Sequence, residues 1–231
     1  MTVAGRTVRP ERGSATRELI LATAERLFAE NGMHAVSNRQ IGEAAGQGNT
    51  GAVGYHFGTK ADLVRAIARK HAEQMEHLRV YMMAEVTGSA GLRDWVACLV
   101  RPFAEHLAAI DGPTWYARFV IQVESDPALH DIMIEEFLAS PSLRPLLDRL
   151  NGAVPDLPAV VRAQRCEMAR HLVQQMCADQ ERALARETRQ VTGFPASWEA
   201  LTANLVDVIV ALWQAPVGPH PSTVERKVDE G

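Results

Sequence analysis

The sequence predicts an all-helical chain. Apolar residues recur at spacings of three and four almost throughout, and no period-two run bounded by turn residues interrupts them. Helix start and stop signals punctuate the same stretches. At 231 residues and 47% hydrophobic composition, the chain can bury a sizeable core in one large or two modest domains. With charged residues at 23%, disorder or a coiled-coil rod is a poor description of the whole. Cys98, Cys166 and Cys177 are odd in number and form no CxxC, so neither a disulfide framework nor a zinc site is expected. With no HExxH, P-loop or metal-spaced acidic cluster in the sequence, no metal or cofactor is expected either. The first residues are basic and polar with no apolar run behind them, which predicts a cytoplasmic chain.

Taken in order, residues 1–13 read as a flexible basic arm carrying Arg6, Arg9 and Arg12. A first helix is expected over residues 16–31, with Ile20, Ala24, Leu27 and Phe28 inward and Asn31-Gly32 as its stop. Ser37-Asn-Arg-Gln40 is a capping box that opens a short helix closed by Gly46. A second short helix is expected from Asn49 or Thr50 to about His56. Thr59-Lys-Ala-Asp62 opens a long one that reaches about Val86. Beyond it, Leu92, Trp95, Leu99, Phe103 and Leu107 mark a helix with a kink or break at Pro102. Asp111-Gly-Pro113 opens the next, and Asp126-Pro127 and Ser140-Pro141 two shorter ones. Long helices over residues 159–190 and 196–214 follow, and residues 215–231 read as a flexible tail.

The capped pair between Ser37 and Phe57 has the form of a helix-turn-helix, in which one helix braces and the second enters a DNA major groove. The net charge of -4 does not oppose this. Residues 1–80 carry 11 Lys and Arg against 8 Asp and Glu, a balance of +3, and the acidic excess lies wholly in the remainder; the local field governs association with a polyanion. The turn Gly46-Gln-Gly-Asn-Thr-Gly51 also fits GxGxxG, but a dinucleotide site needs a preceding strand, and a capped helix stands there.

Ala24-Glu-Arg-Leu27-Phe28, Ile41-Gly-Glu-Ala-Ala-Gly46 and Tyr55-His56-Phe57-Gly58-Thr-Lys60-Ala-Asp-Leu63 occur in that order, and over about residues 15–65 the chain resembles the TetR family of bacterial repressors. The resemblance implies an N-terminal three-helix DNA-binding domain over residues 14–60. It further implies a helical effector-binding and dimerisation domain over residues 61–214. It makes Tyr55 and Lys60 phosphate clamps. Two departures stand out: the turn is one residue longer than the common pattern, and Gly54 occupies the place of a frequent tyrosine. By chemistry, Thr16, Arg17 and His56 can also bond phosphate. Arg39, Gln47, Asn49 and Thr50 can donate to base edges, and Ala52 or Val53 can touch a thymine methyl. Gly51 and Gly54 each admit two readings, close approach to DNA or close helix packing.

In the body, Trp95, Leu99, Phe103, Trp115, Phe119, Phe137 and Met168 are candidates to line an effector pocket, with His171 and Gln175 as its polar groups. Core packing explains each equally well. Trp198, Leu201, Leu205, Val208, Ile209 and Leu212 give the last helix an apolar face wide enough to expect a second copy of the chain against it. The function expected is a ligand-responsive regulator, without enzymatic activity, that binds a near-palindromic operator as a homodimer. The alternative is a helical small-molecule-binding protein or enzyme without DNA binding.

Overall fold

The computed structural model describes residues 8–49, 51–86, 90–154, 156–185 and 197–218, and among these it contains helices and no strand. The helices are α1 (Val8–Asn31), α2 (Asn38–Ala44), α3 (Ala52–Phe57), α4 (Lys60–Glu85), α5 (Leu92–Ala108), α6 (Tyr116–Glu124), α7 (His130–Leu138), α8 (Leu143–Ala153), α9 (Ala159–Ala185) and α10 (Trp198–Gln214). α1 starts earlier than expected, so residues 8–13 of the anticipated arm are helical. Pro10 falls in the first turn, where a missing N–H removes no intrahelical bond. Residues 1–7 of the arm and 219–231 of the tail lie outside the described residues.

Local chemistry sets the short helices. Ser37 and Gln40 form the expected capping box, with the Ser37 N–H donating to Gln40 Oε1 at 2.8 Å. Thr59 and Asp62 form a second one at the start of α4. The Thr59 hydroxyl and N–H hold the Asp62 carboxyl below its ordinary range. α3 begins at Ala52 rather than at Asn49 or Thr50. Asn49 instead folds the turn, its Oδ1 accepting from the Gly51 N–H at 2.9 Å and its carbonyl from Ala52 at 3.0 Å.

Three further expectations change. α5 runs from Leu92 to Ala108 without the break expected at Pro102, which is buried inside it with α4, α8 and α10 packed around the helix. α6 opens at Tyr116 with Trp115 as its N-cap, because Gly112, at φ 87°, turns the chain before the helix starts. The apolar face of α10 is covered within the chain. Leu201, Leu205 and Ile209 are buried and α10 packs on α5 and α9, so these three are core residues rather than a partner surface. Trp198 and Leu212 are half-buried, and Val208 alone of the six is exposed.

One core runs through the whole molecule. It joins Phe28 and Ile41 through Leu63 and Phe119 to Leu146 and Ile209. α1 to α3 and the start of α4 form a head, and α5 to α10 with the rest of α4 form the body. The Phe28 and Phe119 rings, 6.2 Å apart, fasten α1 to α6 across the boundary. No helix among the described residues is long and apolar enough to cross a membrane.

Candidate functional site

On α3, Val53 is fully buried and Ala52 and Phe57 nearly so, all packed into the head. Ala52 and Val53 therefore cannot meet a base, which corrects the expectation for both. The outward surface is Gly51, Gly54, Tyr55 and the flanking Gly58. Tyr55 is 86% exposed, and His56, half-buried, meets it edge-on at 5.2 Å. Arg39 is exposed on α2 in a loose pair with Glu43 at 3.7 Å. The Gln47 amide donates to the Ala45 carbonyl at 2.9 Å and stiffens the turn, while Asn49 stands exposed beside it. On α1, the Arg17 guanidinium lies over the Phe57 ring at 4.9 Å, and Thr16 is half-buried. Thr50 lies outside the described residues.

Lys60 departs most from expectation. Its Nζ donates to the carbonyls of Met33 and Val36, both at 2.8 Å, and sits 5.7 Å from the Phe28 ring centroid. The ammonium closes the loop between α1 and α2 from inside the head, which leaves it poorly placed as a phosphate clamp.

The body holds a partly open cavity of about 300 Å³ between α4, α5, α6, α7 and α9. Leu99, Phe103 and Phe137 line it as expected, joined by Met75, Tyr116, Met133 and Val173. The other candidates lie elsewhere. Trp95 sits under Arg149, Trp115 under Arg118 at 4.2 Å, and Phe119 is wedged between Phe28 and Tyr116. Met168, His171 and Gln175 occupy the exposed face of α9, where His171 pairs with Glu167 and Gln175 donates to Asp179.

The polar groups at the cavity come from the neighbouring face. Arg170 pairs with Glu124 and Glu167, and the Gln174 amide donates to Glu124 at 2.8 Å. Arg79 is held by Glu76, Ser140 and Ser142. Burial raises the Glu76 carboxyl, but hydrogen bonds from Ser140 and Ser142 and the Arg79 charge together hold it below its ordinary range. Glu136 pairs with Arg65 at 3.4 Å and Arg69 at 2.8 Å. The sequence signal for this face was present: Cys166, Ala169 and Val173 follow helical spacing as small apolar residues, with Cys177 one turn beyond the cavity. Burial raises both thiols, Cys177 the more strongly, so neither favours the reactive thiolate.

A buried polar chain lies between head and cavity. Glu25 of α1 meets His71 Nε2 at 2.8 Å, and His71 Nδ1 meets His106 Nε2 at 2.6 Å. Tyr116, part of the cavity wall, stacks on His71 at 3.7 Å. Burial first, then the neighbouring His71 and Lys70 charges, push His106 down to about 4.

Residues 20–67 match the family described as bacterial regulatory proteins, tetR family, and residues 97–211 the tetracyclin repressor-like C-terminal domain. The chain is 39% identical over 77 residues to the HTH-type transcriptional repressor AcnR of Corynebacterium glutamicum, a stretch that covers 33% of this chain and 36% of that protein. The matched stretches span less than half the length of each of the curated relatives. Among solved structures, the fatty acid degradation regulator FadR from Bacillus halodurans superposes with a TM-score of 0.62 at 17% identity, covering 84% of this chain and 94% of that one. A TetR family transcription regulator from Marinobacter aquaeolei does so at 0.60 and 12% identity, covering 88% and 97%.

Proposed function

Because this chain belongs to the TetR family of bacterial regulatory proteins, we propose that it is a cytoplasmic, ligand-responsive transcriptional repressor that binds a near-palindromic operator as a homodimer. The observation that carries this reading is the exposed Tyr55 on the outward face of α3, the second helix of a capped pair, with Arg39 on the first helix and Asn49 in the turn exposed as well. Tyr55, Arg17 and Thr16 then hold phosphates, Arg39, Asn49 and Thr50 reach base edges, and Gln47, His56 and Lys60 set the geometry. Two heads on a palindrome must stand about 34–36 Å apart. Exposed Val160, Gln164, Met168, His171 and Gln175 form a stripe along α9. Asn204, Val208 and Ala211 do the same on α10, and the two stripes support a second copy docking there.

α4 supplies the connection. Its first turns lie in the head core through Leu63, Val64 and Ile67, while Ala68, Ala72, Met75 and Arg79 line the cavity. An occupant that displaces α7 disturbs the pairs that Glu136 makes with Arg65 and Arg69, and so moves α4 under the head. The ionised groups named at the cavity are already paired, so an uncharged, mainly apolar effector fits without stranding a charge. It acts only through a difference in affinity between the two states.

Binding of a randomised duplex library by the full-length chain tests the reading, with the enriched sequence titrated at several salt concentrations. A log K that falls with log salt is expected, and a flat one sinks the proposal. Tyr55→Ala should weaken binding to the enriched duplex roughly tenfold or more with little change in melting temperature, since the side chain is exposed.

A further inference from the structure

The surface that α3 turns outward is almost without side chains. Gly51, Gly54 and Gly58 flank a single large residue, Tyr55, while Ala52, Val53 and Phe57 face the head. Gly54 is the third of only six residues in this helix. Glycine is the poorest helix former after proline, so its presence mid-helix calls for a reason. Neither reason that the described residues offer applies. Gly54 does not occupy the left-handed region, and a Cβ built on it meets no atom within 4 Å among the described residues. Close helix packing, one of the two readings open from the sequence, is thereby removed.

What remains is a partner against that face. An α-helix has a backbone radius of about 2.3 Å and, with side chains, a diameter of about 10–12 Å, nearly the roughly 12 Å width of the major groove. A helix bare on its leading face lies closer to the groove floor than one carrying side chains there. We propose that Gly54 is a specificity-determining position, whose missing side chain is the clearance that lets the α3 backbone lie against the base edges beside Tyr55. The inference rests on the DNA-binding reading above. A methyl at Gly54 lifts the α3 backbone off the base edges of the preferred site, while the phosphate contacts, Tyr55 included, are those that any duplex offers. The methyl leaves the folded protein undisturbed.

Gly152 supplies an internal control. It is also exposed and helical, and a Cβ there likewise meets nothing within 4 Å among the described residues, but it lies in the last turn of α8, in the body. Full-length wild type, Gly54→Ala and Gly152→Ala are compared for melting temperature and for binding to two duplexes. One is the sequence that wild type enriches from a randomised library, and the other is a mixed-sequence duplex. Both substitutions are expected to hold or raise the melting temperature. Gly152→Ala should bind both duplexes as wild type does. Gly54→Ala should lose roughly tenfold or more on the enriched duplex, about the size of one lost base contact, with mixed-sequence binding unchanged. Its own selection should return a different sequence. Wild-type affinity and an unchanged enriched sequence for Gly54→Ala overturn the proposal, and so does a lowered melting temperature, which would make the missing side chain structural. If wild type itself enriches no sequence, the DNA-binding reading fails first.

Discussion

The head and α9 obey opposite polarity rules. In the head, Ile20, Phe28, Ile41 and Val53 point inward, while Arg39, Asn49 and Tyr55 point out. In α9, Arg165, Gln180 and Glu181 are buried, yet Val160 is 71% and Met168 55% exposed. The buried polar groups of α9 have specific work. Arg165 donates to the Trp213 and Ala215 carbonyls at the end of α10, and Glu181 accepts from the Ala117 and Arg118 N–H groups at the start of α6. A helix that ties down the ends of two neighbours gives up ordinary amphipathicity. Its apolar residues are then left to face outward, toward whatever lies beyond the chain.

The most severe break in this contrast comes from Glu181. Burial raises its carboxyl, and the two α6 N–H groups and Arg118 oppose that rise. Glu181→Ala removes the acidic partner of Arg118, which keeps only the Thr114 carbonyl and the Trp115 ring, and leaves the Ala117 and Arg118 N–H groups without their acceptor, so a loss of about 3–5 kcal/mol is expected in chemical denaturation. A loss under about 1 kcal/mol would show that water replaces the carboxylate there.

Lys60→Ala is next. It orphans the Met33 and Val36 carbonyls, with an expected cost of about 1–3 kcal/mol. The salt dependence of DNA binding separates its two roles. A loop-closing lysine leaves the slope of log K on log salt unchanged, whereas a phosphate clamp lowers it by about 1.

His106 gives a smaller, pH-dependent effect. Its folded value of about 4 lies below the ordinary 6.5, so between these values the unfolded chain binds a proton that the folded chain refuses. Stability from this group is present above pH 6.5 and is lost as pH falls toward 4. His106→Gln should flatten the melting-temperature curve across that window relative to wild type. Parallel curves for the two proteins would refute it.

The smallest effect on the fold itself is expected from Met168→Asp. An exposed substitution shifts the stability of an isolated chain by no more than about 0.5 kcal/mol. If α9 faces a second copy, the same change dissociates it, as light scattering over a concentration series will register.

Sequence signals served the head well because they were local. Ser37 and Gln40, or Thr59 and Asp62, find each other within one turn whatever the rest of the chain does. The errors there concern side chains whose partners are distant: Lys60, bound to carbonyls before α2, and Val53, read as a base contact but claimed by the core. In the body the same limit dominates. Helical spacing places Met168, His171 and Gln175 on one face and Cys166, Ala169 and Val173 on another. Only the packing of α6 and α10 decides which one meets the cavity. Aromatic content misled for the same reason. Phe103 and Phe137 reach the cavity, but Phe119 is taken by Phe28 of the head.

That last pairing bears on how such a protein can be altered. Phe28 and Phe119 belong to one continuous core, with Glu25 and His71 joined just beside them. The head is therefore not an interchangeable reading module clipped onto a sensor. A chimera that exchanges residues 14–60 for those of a relative inherits a foreign α1 against a native α6. It will melt in one early transition unless the surface of α6 is exchanged with it. Lineages that acquire a new operator while keeping their effector should show changes confined to the outward side of α3, where nothing in the core has a stake.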